Sequence, residues 1–140
     1  MRRRKTLILV GGAIILLLAG CQGVSVSSQK AGQAASEFVG KDLGELMKSR
    51  VENGSGLVVR DLSGLVGQPS EYNGDPSLAG QWLVVSICSN VSTISPESAS
   101  SVEVGIVPMK VADETIDAID DRQLTAELDC RDKPFSFSMK

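Results

Sequence analysis

The stretch GQWLVVSICS, residues 80–89, holds the only tryptophan of the chain and one of its three cysteines. From Trp82 to Cys88 apolar side chains fall on both alternating faces. A strand with one wet face alternates apolar and polar residues. A run that is apolar on both faces predicts a central strand covered from both sides. The cysteine at its end raises a second question. It is a nucleophile, a metal ligand, half of a disulfide or filler, and the compartment decides among these.

The N-terminus speaks to the compartment. The chain opens MRRRKTLILVGGAIILLLAGCQG, with Arg2, Arg3, Arg4 and Lys5 ahead of thirteen apolar or small residues, Thr6 to Leu18. A bilayer span needs about 20 such residues. This run has the length of the apolar core of a secretory signal. It ends Leu18-Ala19-Gly20-Cys21, which resembles the lipobox of bacterial lipoproteins. The resemblance implies that residues 1–20 are removed and that the Cys21 thiol carries a diacylglycerol. The protein would then sit on the extracytoplasmic face of the cell membrane, held there by its lipid.

Such cleavage leaves 120 residues, enough for one domain. It removes four of the 14 basic residues and none of the 17 acidic ones, for a net charge of −7. An acidic chain of this kind excludes a nucleic-acid partner, whose phosphates need a basic face. Outside the cytoplasmic membrane thiols oxidise. With Cys21 used by the lipid, Cys88 and Cys130 remain and allow a single intramolecular pairing. A Cys88–Cys130 disulfide, 42 residues apart, is therefore expected.

Outward from the central stretch, residues 21–36 are mostly Ser, Gln, Gly and Ala, and read as a flexible tether. Val39, Leu43, Leu46, Met47 and Val51 recur at intervals of three and four. This predicts a helix from Asp42 to Glu52, with Asp42 as its cap, Glu45 three residues on, and Asn53-Gly54 as its stop. Leu57 to Leu62 is strand-like. Ser63 to Ala79 is a loop marked by Pro69, Asn73-Gly74 and Asp75-Pro76. In Ser101 to Pro108, Val102, Val104 and Ile106 face one way, and Ser101, Glu103 and Gly105 the other. Asp113 to Asp120 suggests a short helix with Ile116 and Ile119 inward. Two alternating segments close the chain. The first places Leu124, Ala126, Leu128 and Cys130 on one face, and the second Phe135, Phe137 and Met139. They predict a β-hairpin with one buried face.

Three motifs carry a family resemblance: Val39-Gly40-Lys41-Asp42-Leu43, Asp61-Leu62-Ser63-Gly64 and Trp82-Leu83-Val84. In this order and spacing, residues 38–108 resemble a PASTA domain of the kind found in actinobacterial envelope proteins. The resemblance implies an α+β fold of one helix followed by a three-stranded sheet, and a non-catalytic module that binds cell-wall fragments. The expected organisation is a signal peptide at 1–20, a tether at 21–36, a PASTA-like domain at 37–108, and a hairpin extension at 109–140 packed on the same domain.

The chain has no histidine. This removes the usual general base near neutral pH, the Ser–His and Cys–His dyads, and His-based zinc sites. No cofactor is expected. Asp113, Asp117, Asp120 and Asp121 lack the spacing and central glycine of a calcium loop, and read as a solvated face. Glu45 and Glu52 read as surface charge. Three residues are candidates for contact with a ligand or partner. Tyr72 lies in the turn-rich loop. Trp82 is either core filler or a stacking platform. Arg60 is either an anion contact or half of a surface ion pair. The function expected is a non-enzymatic cell-envelope binding module, anchored to the membrane and contacting cell wall or an envelope protein. The alternative is an accessory or inhibitor subunit that docks a secreted or membrane protein through its acidic surface.

Cys21→Ala is expected to release the protein from the membrane fraction or to leave an uncleaved precursor. Fractionation and mass spectrometry read both outcomes. Full membrane retention with normal cleavage would refute lipid attachment at Cys21.

Overall fold

All eight residues from Trp82 to Ser89 are buried in the computed structural model, which describes residues 32–49, 56–97, 100–111 and 113–139. A strand buried on both faces needs a layer against each. In chain order the elements are β1 (Gln33–Ala34), a 3₁₀ turn (Ala35–Phe38), α1 (Leu43–Lys48) and β2 (Leu57–Asp61). Two further 3₁₀ segments follow, Ser63–Val66 and Pro76–Gln81. Then come β3 (Trp82–Ser89), β4 (Thr93–Ile94), β5 (Val102–Pro108), α2 (Asp113–Asp117), α3 (Asp121–Ala126) and β6 (Phe135–Ser138). The fold is α+β with two sheets. One is the antiparallel pair β1-β4; the other has four strands in the order β2-β5-β3-β6. β2 runs parallel to β5, while β3 is antiparallel to both of its neighbours.

One face of the large sheet presents Trp82, Val84, Ile87, Val102, Val104 and Ile106 to Phe38, Leu43 and Leu46. The other presents Leu83, Val85 and Val107 to Leu62, Val66, Val111, Ile116 and Leu124. Val84 and Ile87 share a face although three positions separate them, which breaks the two-residue period of a strand. The break is a bulge between Val84 and Ser86, where one extra residue resets the phase. Ser86 therefore turns to the second face, and its hydroxyl donates to the carbonyl of Leu124 at 2.9 Å. Opposite Ser86 stands Gly105, where a Cβ would overlap Leu62 Cδ1 and Ser86 Oγ. Glycine lets the bulge and the chain after β2 approach this closely.

The free edge of β3 is shared by two segments. Near its start, the Gly40 amide donates to the Val84 carbonyl at 2.8 Å, and the Val84 amide donates to Lys41 at 2.9 Å. Gly40 has φ +85°, a conformation open to glycine at little cost. Past the bulge the Met139 amide donates to Val85 at 2.8 Å, and β6 continues along Ser86 to Ser89. Asp42 caps α1, accepting from the Glu45 amide at 3.0 Å, and Leu43 and Leu46 are fully buried. α1 spans Leu43–Lys48; the remainder of the expected helix and its Asn53-Gly54 stop lie outside the described residues.

Four expectations change. The signal peptide at 1–20, Cys21 and the tether as far as residue 31 lie outside the described residues, but 33–36 are not tether. Gln33–Ala34 pairs with Thr93–Ile94, and Ala35 is fully buried. The three-stranded sheet has a fourth strand, β6. The one helix of the PASTA-like pattern, α1, is joined by the short helix expected near 113–120, found as α2 with Ile116 buried, and by a further helix, α3, among the described residues. The C-terminal hairpin is absent: Asp121–Ala126 is helical, and β6 pairs with β3 instead. Leu124 and Leu128 are buried and Ala126 is exposed, the pattern of a helix face and not of a strand. Asp120 caps this helix, accepting from the Arg122 amide at 2.8 Å. The expected loop at 63–79 holds the two 3₁₀ segments.

Cys88 and Cys130 form a disulfide, with their Cα atoms 5.5 Å apart. It ties the buried middle strand to the C-terminal segment. A loop of this length gives about 4 kcal/mol in the chain-entropy account.

Gly105→Ala is expected to lower stability by about 1–3 kcal/mol through overpacking against Leu62 and Ser86, read from urea midpoints. An unchanged midpoint would show that both neighbours yield freely.

Candidate functional site

The antiparallel register sets Trp82 opposite Pro108, and the Met109 amide extends the pairing by donating to Gln81 at 2.8 Å. The start of β3 and the end of β5 therefore meet at one end of the sheet. A cleft of about 490 Å³ opens there. Trp82, Pro108 and Met109 give it apolar walls, Gly80 and Gln81 add polar backbone and an amide, and Glu71 and Lys110 bring charge. Met109 is 42% exposed. Gln81 ends the 3₁₀ segment 76–81, whose start is capped by Asp75, accepting from the Ser77 amide at 2.9 Å and its hydroxyl at 2.7 Å.

Trp82 serves both sides of this wall. The residue is 7% exposed and belongs to the core cluster with Phe38 and Leu43. Tyr72 meets it edge-on, with ring centroids 5.4 Å apart and an interplanar angle of 82°, a favourable aromatic geometry. Tyr72 is half-buried, and burial pushes its phenol above the ordinary value. Of the three candidate contact residues, the structure brings Tyr72 and Trp82 together and places Trp82 on the cleft.

Asp61 holds the loop that carries Glu71 and Tyr72. Its carboxylate accepts from the Ser63 amide at 2.9 Å, from the Ser63 hydroxyl, from the Ser70 hydroxyl at 2.7 Å and from the Tyr72 amide at 3.1 Å. Burial alone would raise its pKa. The hydrogen bonds from Ser63, Ser70 and Tyr72 outweigh burial and hold it below the ordinary value.

Arg60 lies elsewhere, engaged with Glu103. Its Nε donates to Glu103 Oε1 at 2.9 Å, and Glu103 is 2% exposed. The Lys133 ammonium stands 3.6 Å from the other carboxylate oxygen and donates to the Asp129 carbonyl at 2.6 Å. Burial pushes the Glu103 pKa up. The Arg60 hydrogen bond, the Asp129 amide and the charges of Arg60 and Lys133 together bring it below the ordinary value. A broad depression of about 750 Å³ beside this cluster is lined by Arg60, Glu127, Asp129, Cys130 and Arg131. Its cations already face carboxylates, Arg131 meeting Asp129 at 3.2 Å. This site fastens the C-terminal segment more readily than it recruits an anion.

Sequence reasoning missed Glu71, Gln81, Pro108, Met109 and Lys110. Pro108 marks the end of a strand and the next two residues follow it into the cleft, a signal visible only once β3 and β5 are known to pair. It set Glu103 on the face opposite Val102, Val104 and Ile106 without showing that the C-terminal segment covers that face and buries it. Among the described residues no group of three or more His, Cys, Asp or Glu is placed to hold a metal ion, and no helix is long and apolar enough to cross a membrane. No family model, curated protein or solved structure matches the chain.

The depressed pKa of Glu103 has a signed consequence. Its contribution is complete above the ordinary glutamate pKa and disappears as pH falls through the lower folded value. Urea midpoints measured against pH should therefore fall on the acid side, and Glu103→Gln should flatten that limb. Parallel curves for the two proteins would remove Glu103 as its source.

Proposed function

We propose that this chain is a lipid-anchored, non-enzymatic binding module on the extracytoplasmic face of the cell membrane, with the Trp82 cleft as its contact surface. The cleft carries the reading. It combines apolar walls with a few polar groups, the composition of a binding site, and it stands on the end of a sheet packed on both faces. Among the described residues the most buried carboxylate, Glu103, is engaged with Arg60 and Lys133. Cys88 and Cys130 are joined, so neither is a nucleophile. The lack of histidine favours holding a ligand over transforming one.

Two sequence features supply the setting. The Leu18-Ala19-Gly20-Cys21 motif behind its basic and apolar leader supports export and acylation at Cys21. The resemblance of residues 38–108 to a PASTA domain supports a cell-envelope contact, with cell-wall fragments as one ligand class. The net charge of −7 after cleavage supports a second reading. In it the chain is an accessory or inhibitor subunit that docks a secreted or membrane protein.

Site-specific photocrosslinking in intact cells tests the contact surface. A crosslinking residue at position 109 is expected to give discrete adducts, of glycan or protein, and one at position 58 is not. Equal labelling from both positions, or none from either, would sink the cleft as the contact surface.

A further inference from the structure

The two ends of the large sheet differ in kind. At one end lie Ser89, Asn90, Ser101 and Val102, with β1 and β4 beside them: the Ala35 amide donates to Ser92, and the Asn90 amide to Ser101. The segment leading from the N-terminus reaches the sheet here, at Gly32 and Gln33, with Gly32 close against Thr93 and Ile94. At the other end lie the last residues of β2 and β5, the first of β3, and the Trp82 cleft. β3 has eight residues, so these ends stand about 25 Å apart at roughly 3.3 Å per residue.

Exposed large apolar side chains are concentrated at the cleft end. Among the described residues four are exposed, Val58, Leu65, Leu78 and Met109. Leu65 lies in the turn that leaves β2, Leu78 in the 3₁₀ segment that enters β3, and Met109 just past β5. Only Val58 lies away from this end. Of the four, Met109 lines the cleft beside Trp82 and Pro108, and an apolar side chain exposed against an apolar wall marks an interaction site where a scattered one does not.

Charge there has a sign. From Asp61 to Gln81, the stretch that leads to the cleft, the sequence contains no Lys or Arg, while Asp61, Glu71 and Asp75 fall within it. Asp61 is engaged internally. Glu71 reaches the cleft, and Asp75 caps the segment bearing Leu78. Among the described residues Lys110 is the one cation lining the cleft. Lys41, on the same half of β3, faces Glu45 at 3.4 Å.

We infer that this end of the sheet docks a polypeptide segment in which basic side chains flank an apolar one. The inference rests on the lipid-anchored binding module proposed above and names its partner. The apolar residue enters between Trp82 and Met109. The flanking cations meet Glu71 and Asp75, and charge complementarity fixes their orientation.

The test uses the full chain, purified in detergent and titrated into fluorescent peptides of three designs: Lys-flanked Leu, Glu-flanked Leu and Lys-flanked Ser. The Lys-flanked Leu peptide should bind about tenfold more tightly than either other design, and salt should weaken it. Glu71→Lys and Met109→Ser should each weaken that binding about fivefold or more. Lys110→Glu should strengthen it, and Val58→Ser should leave it unchanged. Equal binding of the three peptides, or an equal loss from Val58→Ser, overturns the inference. So does binding to purified cell wall that Met109→Ser abolishes while no peptide binds; that result gives the cleft to a glycan and leaves the binding module standing. Because the measurement needs neither a membrane nor a lipid, its failure is separate from any failure of Cys21 acylation.

Discussion

β3 is a strand whose every residue is removed from water, and each neighbouring element answers to that constraint. Burying an apolar run of this kind supplies the main driving force for folding, but only if both faces and both edges are covered. The Phe38 turn and α1 cover one face. The Leu62–Val66 turn, α2 and α3 cover the other. β5 takes one edge. The second edge is divided between Gly40–Lys41 and the Met139–β6 segment, with the bulge at their junction. Neither the beginning of the domain nor its C-terminal segment is an appendage. Each satisfies backbone groups of β3 that burial would otherwise leave without partners, at a cost of about 1–3 kcal/mol per group.

The C-terminal segment is held by three kinds of force. Leu124 and Leu128 bury apolar area. The Cys88–Cys130 bond limits how far these parts can separate in the unfolded chain. Glu103, Arg60 and Lys133 add a charged contact whose members come from β5, β2 and the C-terminal segment. Such buried charges contribute little net stability compared with an apolar substitute, yet removing one partner is costly because it strands the other. Here the contact acts as a registration mark. A C-terminal segment shifted along the sheet would carry Lys133 away and leave the buried carboxylate with Arg60 alone.

Much of the sheet was legible in the sequence. The two-faced apolar run at 82–88 called for a central strand, 57–62 and 101–108 read as strands, and Asp42 read as a cap; each is found within a residue or two. The C-terminal segment was misread for a definite reason. Leu124 and Leu128 are four apart, a spacing shared by a helix face and by alternate positions of a strand. Ala126 and Cys130 then completed a strand-like pattern by chance. Asp120 carried the opposing signal, since a cap followed by Leu124 favours a helix. Glu103 was hidden because alternation distinguishes two faces without telling whether the second is wet. Of the cleft, Trp82 could be singled out by its rarity. Met109 and Lys110 could not, because no periodicity marks residues just beyond a strand end.

Gly105 carries a consequence for how sequences of this fold can drift. Its missing side chain is the space into which Leu62 and Ser86 project, so three separate stretches of the chain meet at this point. A larger residue at 105 is tolerable only with smaller or redirected partners at 62 and 86. Ser86 is further bound by its hydrogen bond to Leu124. In chains descended from a common ancestor with this one, positions 62, 86 and 105 should exchange volume as a set, and that covariation would be a fingerprint of the bulge where no overall similarity survives.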